Sequence, residues 1–296
     1  METADVCTLQ SGEWHVEIDA ARGGQVRVCQ WRGHDVFSPA RRGAWPETAG
    51  AGCFPLVPFS NRIRQAAFSY LGQRTCLPAP EFAMPHALHG LGWRCAWSLQ
   101  VSGPDELVMV QNNAGGAWPW PYAASQHLTV QANRLTLALS LKNTGTQTMP
   151  AGIGLHPYFP RRPGLALSLE AEGCWQTDGA DPGIPTYWSA LHPPTDGLRN
   201  VSPDTLDLDN CFTGWSRTAR LEYADPKFRI DLSASAAFSN LVIYCPAGGE
   251  SLCLEPVSHV NDAANLPGLD AWQQMDSLEP GDCLTGTLSI DVCEPA

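Results

Sequence analysis

Charge is scarce in this 296-residue chain, at 16% of residues, and basic charge is the scarcer kind: 18 Lys and Arg stand against 30 Asp and Glu, a formal balance of -12. A surface of that sign repels a phosphate backbone, and no basic run interleaved with aromatics offsets it, so nucleic acid is not an expected partner. The opening "METADVCTLQSGEW" lacks the basic and apolar regions of a signal peptide, and no stretch reaches the roughly 18 apolar residues of a membrane span. No membrane partner is expected, and a cytoplasmic location is. The 11 cysteines never fall in a C-x-x-C pair, which indicates neither a zinc site nor a disulfide framework. They read as small buried hydrophobes in a reducing compartment. Linkers, low-complexity segments and fixed-period repeats are also missing, so one domain spanning 1–296 is expected.

Helical periodicity is absent too: no window of a dozen residues holds an apolar stripe free of Pro and Gly. What recurs is alternation, in "WHVEID" at 14–19, "QVRVCQW" at 25–31, "ELVMVQ" at 106–111, "QHLTVQ" at 126–131 and "RLTLALSLKN" at 134–143. It resumes in "KFRIDLSAS", "NLVIYC", "SLCLEPV" and "GTLSIDV". Short strands of period two bounded by turn residues, with no helices between them, predict an all-β fold, a large antiparallel β-sandwich. The connections "GAWPETAGAGCFPLVPFSNRIRQ", "PAPEFAMPHALHGLGW", "GAWPWPY" and the stretch from Asp178 to Phe212 are longer than hairpins need. Long loops on a rigid sheet are where function collects.

Six short stretches hold residues able to do chemistry. In "SLCLEPV" alternation sends Leu252 and Leu254 to one side and Cys253 and Glu255 to the other. A carboxylate in so apolar a strand either meets a cation or points into a cleft. In "GIGLHPYFP" the proline after His156 holds the histidine's backbone extended. Gly152 and Gly154 permit close approach before it, and Tyr158 and Phe159 can wall a pocket, although a satisfied core histidine is the plainer reading. "PFSNRI" sets Asn61 beside Arg62, whose fork of donors suits hydroxyl and carboxylate oxygens, or simply a salt bridge. "HALHG" supplies His86 and His89, without an acidic or cysteine partner at ligand spacing, so no metal is expected. "LDLDNCF" puts Asp207 and Asp209 on one face, as turn caps or as site groups. "WPWPY" clusters Trp118, Trp120 and Tyr122, rings that can stack on a sugar or fill a core.

Taken in order, "FPLVPFSNRI", "HALHG", "GIGLHPYF", "LDNCF" and "CLEPV" resemble the aldose 1-epimerase (galactose mutarotase) family over about Pro55 to Asn265. The resemblance implies a supersandwich fold and cofactor-free interconversion of the α and β anomers of a free sugar. By motif, Glu255 looks like the family's catalytic base and His156 like its catalytic acid. Arg62, His89 and Asp209 look like its sugar-binding arginine, histidine and aspartate. The chain departs from the galactose-type pattern at Leu155, before the histidine, and at Pro160; both bear on the sugar rather than the reaction.

On that implication, Glu255 takes the C1 hydroxyl proton while His156 supplies the ring oxygen, and each reverses its role on closure. Arg62, His89, Asp209 and Asn61 hold ring hydroxyls, with Trp93 or Trp120 beneath the ring. Three alternatives stand beside this one. A mutarotase of an anionic sugar calls for two of Arg64, Arg161 and Arg162 in the cleft; a sugar-binding module keeps the sandwich without turnover; a glycosidase pairs Glu255 with Asp209.

Overall fold

The protein is described here by a computed structural model, which covers residues 6–40, 52–177, 179, 181, 183–191 and 198–294. Parts of two of the long connections, at 41–51 and 192–197, therefore lie outside the described residues. Two antiparallel sheets dominate. The larger has eleven strands, with Cys53–Leu56, Gly154–Pro160, Ser251–Val257, Asn240–Cys245 and Leu208–Thr213 lying side by side through its middle. The smaller has eight, built around Glu106–Asn113, Tyr122–Gln131, Arg134–Asn143, Cys283–Cys293 and Lys227–Ala234. Among the described residues the helical pieces are five three-residue turns of 3₁₀ helix. None of them is long or apolar enough to cross a membrane.

Alternation decides where the sheets meet. Arg134–Asn143 buries Leu135, Leu137, Leu139 and Leu141 at every second position and exposes or half-exposes the residues between. These leucines share one continuous cluster with Trp14, Val16, Ile18, Leu155, Phe159, Leu241, Ile243, Leu252 and Leu254 of the larger sheet. Two facing apolar surfaces thus form the core, each fully buried Leu or Ile contributing about 1.5–3 kcal/mol. Trp14 also ties the layers, its indole N–H donating to the Ala132 carbonyl at 3.1 Å.

The middle strands of the larger sheet are buried on both faces. Their other side chains, Phe54, Leu56, Tyr158, Cys211, Val242, Cys253 and Val257, join Trp93 and Val260 in a second, separate cluster. Phe159 points the other way, edge-on to Phe37 in the main core (centroids 5.5 Å apart). Of the two aromatics expected to wall the pocket behind His156, alternation leaves only Tyr158 on that side. Trp120 is likewise in the main core, ringed by Trp118, Phe68 and Tyr70.

Candidate active site

The second cluster surrounds the polar residues that the sequence singles out. Gly154 pairs with Val257 and Tyr158 with Cys253, which puts His156 opposite Glu255 on adjacent strands. On its other side His156 pairs with Phe54, and Glu255 with Val242. One row across the sheet therefore reads Phe54, His156, Glu255, and each of the three is followed by a proline: Pro55, Pro157, Pro256. A proline holds the residue before it extended, so three neighbouring strands present their side chains at fixed angles to one face. The glycines serve the same approach: a Cβ on Gly152 would overlap the His259 ring, and one on Gly154 would lie 2.9 Å from Val257 Cγ1.

His156 Nε2 stands 3.2 Å from Glu255 Oε1, and both side chains are buried. Tyr158 stacks flat on the imidazole, 4.6 Å between centroids, and Phe54 covers it at the same distance. Desolvation pushes His156 down to about 3, its own backbone carbonyl opposing part of the shift. Desolvation and then Asp209 push the Glu255 carboxyl well above the usual carboxylate range, with Arg62 opposing. Burial thus favours the neutral form of each group. The state that burial favours is therefore the one with no charge on either group. The ionised state that the family resemblance implies differs from it by one proton moved between the two groups, whose facing atoms stand 3.2 Å apart.

His89 stands edge-on to His156, 5.1 Å between centroids, and is positioned by backbone. Its Nδ1 accepts the Asn61 amide hydrogen at 3.1 Å, while its own amide donates to the Asn61 carbonyl at 2.9 Å. Both residues adopt left-handed backbone, φ +57 and +52, a conformation Asn and His tolerate better than most residues. Asn61 thus positions His89 through its backbone, and its side-chain Oδ1 accepts the Arg62 amide at 2.8 Å. One ligand atom each from His89, His156 and Glu255 lies within 4.8 Å of the others, a grouping that invites a metal. Because His89 Nδ1 is spent on Asn61, the neutral ring keeps its proton on Nε2, a donor rather than a ligand. The donor set does not fit a metal. Desolvation first, then His156 and Arg62, hold His89 well below its ordinary value.

Gly90, at φ +69, completes this corner: a Cβ there would overlap the Val57 carbonyl, which also accepts the Leu91 and Gly92 amides at 2.7 and 3.0 Å. Gly90→Ala is expected to cost about 1–3 kcal/mol in backbone strain before the overlap is counted, read as a lower midpoint in urea unfolding.

Asp209 lies two strands from Glu255, paired with Tyr244, which pairs with Cys253. It is half-buried; desolvation raises its carboxyl, and Arg62 offsets part of that rise. Among the described residues neither the Asp209 carboxylate nor the Arg62 guanidinium makes a hydrogen bond, and neither do Glu255 Oε2 or His156 Nδ1, both buried. Trp93 stacks on Phe54 at 5.7 Å, so of the two tryptophans expected beside a ring only Trp93 adjoins this group. Trp120 stands apart because its indole is needed to fill the space between the sheets.

The remaining candidates are committed elsewhere. Arg161 donates to the Pro246 and Pro203 carbonyls and meets Asp204 at 3.2 Å. Arg162 lies over Tyr223 and Phe228, and Arg64 holds buried Asp262 at 3.2 Å. Asp207 accepts the Ala247 amide at 3.1 Å, a loop-bracing role. His259 carries no signal in the sequence that marks it out: its Nε2 accepts the Ser60 amide at 3.1 Å and its Nδ1–H donates to the Val260 carbonyl at 2.8 Å. It braces the loop that carries Asn61 and Arg62.

An all-β sandwich with a buried carboxylate and imidazole side by side on the outward face of one sheet defines the class, and sequence comparison agrees with it. The aldose 1-epimerase profile matches residues 5–291, and the chain belongs to that family. The "Uncharacterized protein YphB" of Escherichia coli (strain K12) is 30% identical over 296 residues, 97% of this chain and 98% of its own length. A crystal structure from the same organism, called a "Putative aldose 1-epimerase", superposes with a TM-score of 0.86 at 26% identity, covering 98% of this chain and 99% of that one. The galactose 1-epimerase of Lactobacillus acidophilus NCFM shares the fold, with a TM-score of 0.77 at 14% identity over 100% of this chain and 97% of that one.

Proposed function

We propose that the protein is a cofactor-independent mutarotase that interconverts the α and β anomers of a neutral free aldose. The observation that carries this reading is the set of hydrogen-bonding atoms without protein partners among the described residues: the Arg62 guanidinium, the Asp209 carboxylate, Glu255 Oε2 and His156 Nδ1, gathered around the His156–Glu255 pair. A polyhydroxylated ring has donors and acceptors for all of them. Opening a pyranose removes the proton from O1 and adds one to O5, and both oxygens are bonded to C1. Two adjacent proton carriers therefore serve the reaction without standing on opposite sides of the ring. In the ionised state of the pair, Glu255 takes the O1 proton and His156 gives one to O5; the ring opens to the aldehyde, the C1–C2 bond turns, and closure returns both protons. No proton is consumed.

A neutral sugar is favoured because Arg64, Arg161 and Arg162 are engaged with other partners, which leaves Arg62, among the described residues, as the cation acting on Glu255 and Asp209. The test is magnetisation-exchange NMR on glucose, galactose, other free aldoses and the corresponding 6-phosphates. Acceleration of a neutral aldose is expected, and faster exchange of a 6-phosphate would overturn the neutral assignment. Binding without acceleration would leave a sugar-binding module. Arg62→Ala is expected to raise KM about tenfold or more with kcat changed far less, since its contacts are to hydroxyls that do not react.

A further inference from the structure

Arg62 raises a question of its own: with no hydrogen bond from its guanidinium to any described residue, what aims it? The answer lies in packing. A Cβ on Gly183 would overlap Arg62 Nε and lie 3.1 and 3.2 Å from Cδ and Cζ, so the side chain rests directly on the Gly183 backbone. Gly183, at φ +77, belongs to a turn closed by the Ile184 amide donating to the Asp181 carbonyl at 3.1 Å. Its own carbonyl accepts Asn261 Nδ2 at 3.4 Å. The Asp181 carboxylate in turn meets His86 Nε2 at 2.7 Å. His86 Nδ1 accepts the Gln65 amide hydrogen at 3.1 Å, which places the neutral ring's proton on Nε2, where it donates to Asp181. His86 is buried, and it immediately precedes the short strand Ala87–Leu88, which pairs with Arg62–Ile63. The backbone of Arg62 and the prop beneath its side chain thus grow from one ladder.

We infer that His86 and Asp181 form a clamp that holds the Gly183 turn against Arg62 and so orients the guanidinium for substrate. Both are positioning residues. The inference rests on the proposed anomer exchange for its kinetic readout. A cation with five donors loses selectivity when its stem swings, and misplacement by about 1 Å can cost up to about 10²-fold where geometry controls the rate. The clamp spans 95 residues of sequence, and neither of its members touches the His156–Glu255 pair in any contact described above.

The test compares kcat and KM by exchange NMR for four variants and one double variant. His86→Ala and Asp181→Ala are each expected to raise KM about tenfold with kcat within about twofold. His86→Gln, whose amide can accept from Gln65 and donate to Asp181, and Asp181→Asn, whose carbonyl still accepts, are expected to stay near wild type. Asp181 is 43% exposed, so its variants test the clamp even if His86→Ala folds poorly. Adding His86→Ala to Arg62→Ala is expected to change KM no further, because the two act through one group. Unchanged KM in both alanine variants, or additive losses in the double variant, would overturn the inference. Should wild type exchange no sugar, the proposed function falls and the clamp is read from the Arg62 Nε–H NMR signal. That signal is expected to be sharp in wild type and His86→Gln and broadened in His86→Ala; no difference would sink the clamp alone.

Discussion

Glu255→Gln is expected to slow anomer exchange by about 10²- to 10⁴-fold, the range lost with a positioned acid–base group, and at the same time to raise the melting temperature. The two effects share a cause. Burial raises the Glu255 carboxyl well above its ordinary value, so in the window between the unfolded and folded values the folded chain binds a proton that the unfolded chain has released. Stability contributed this way is present below the unfolded value and is lost as pH rises toward the folded one. Glutamine cannot ionise and escapes that loss, so the gain over wild type should widen from about pH 4 upward, where the unfolded carboxylate forms. A thermal-shift series from pH 4 to 9, run beside exchange NMR, checks both. A variant that melts lower at neutral pH, or turns over normally, would remove Glu255 from this role.

His156→Asn is the second large effect, again about 10²-fold or more in kcat, and it also changes the shape of the pH profile. On the proposed mechanism one proton is divided between two buried groups, and the wild-type kcat/KM should be flat across neutral pH. It falls at the acid end when a second proton reaches His156, which burial holds down to about 3, and at the alkaline end when Glu255 releases the only one. Without the imidazole, Glu255 serves only as the ionised base, so the alkaline fall should vanish and leave one limb that rises with pH as the raised carboxyl ionises. If wild type instead shows a single limb near the ordinary histidine value, the pair does not share its proton as described.

Much of this arrangement is legible in the amino-acid sequence. Alternation alone sends Glu255 and Cys253 to the side away from Leu252 and Leu254, and the two faces are the site and the core. Strands buried on one face, such as Arg134–Asn143, announce themselves by their polar half. Cys53–Leu56 does not: buried throughout and interrupted by a proline, "CFPL" reads as loop although it neighbours the His156 strand. The edge strands Ser98–Ser102 and Tyr187–Ala190 are missed for the opposite reason, being largely exposed. Trp93 and Trp120 look alike in sequence because indole serves a binding site and a core equally well, and only the fold says which surface each meets. Hydrogen bonds that fix a tautomer, such as Asn61 to His89, or join distant positions, such as His86 to Asp181, leave no local pattern.

The row Phe54, His156, Glu255 has one more implication. Its members sit on three strands that are far apart in the chain, and their common direction depends on register rather than on any bond between them. Side chains along a strand alternate strictly, so deleting one residue from the strand of His156 or of Glu255 would send its imidazole or carboxylate through the sheet and in among the leucines. The chemistry is thus guarded by parity: loops around it can lengthen or shorten in evolution, while these strands accept changes only in steps of two.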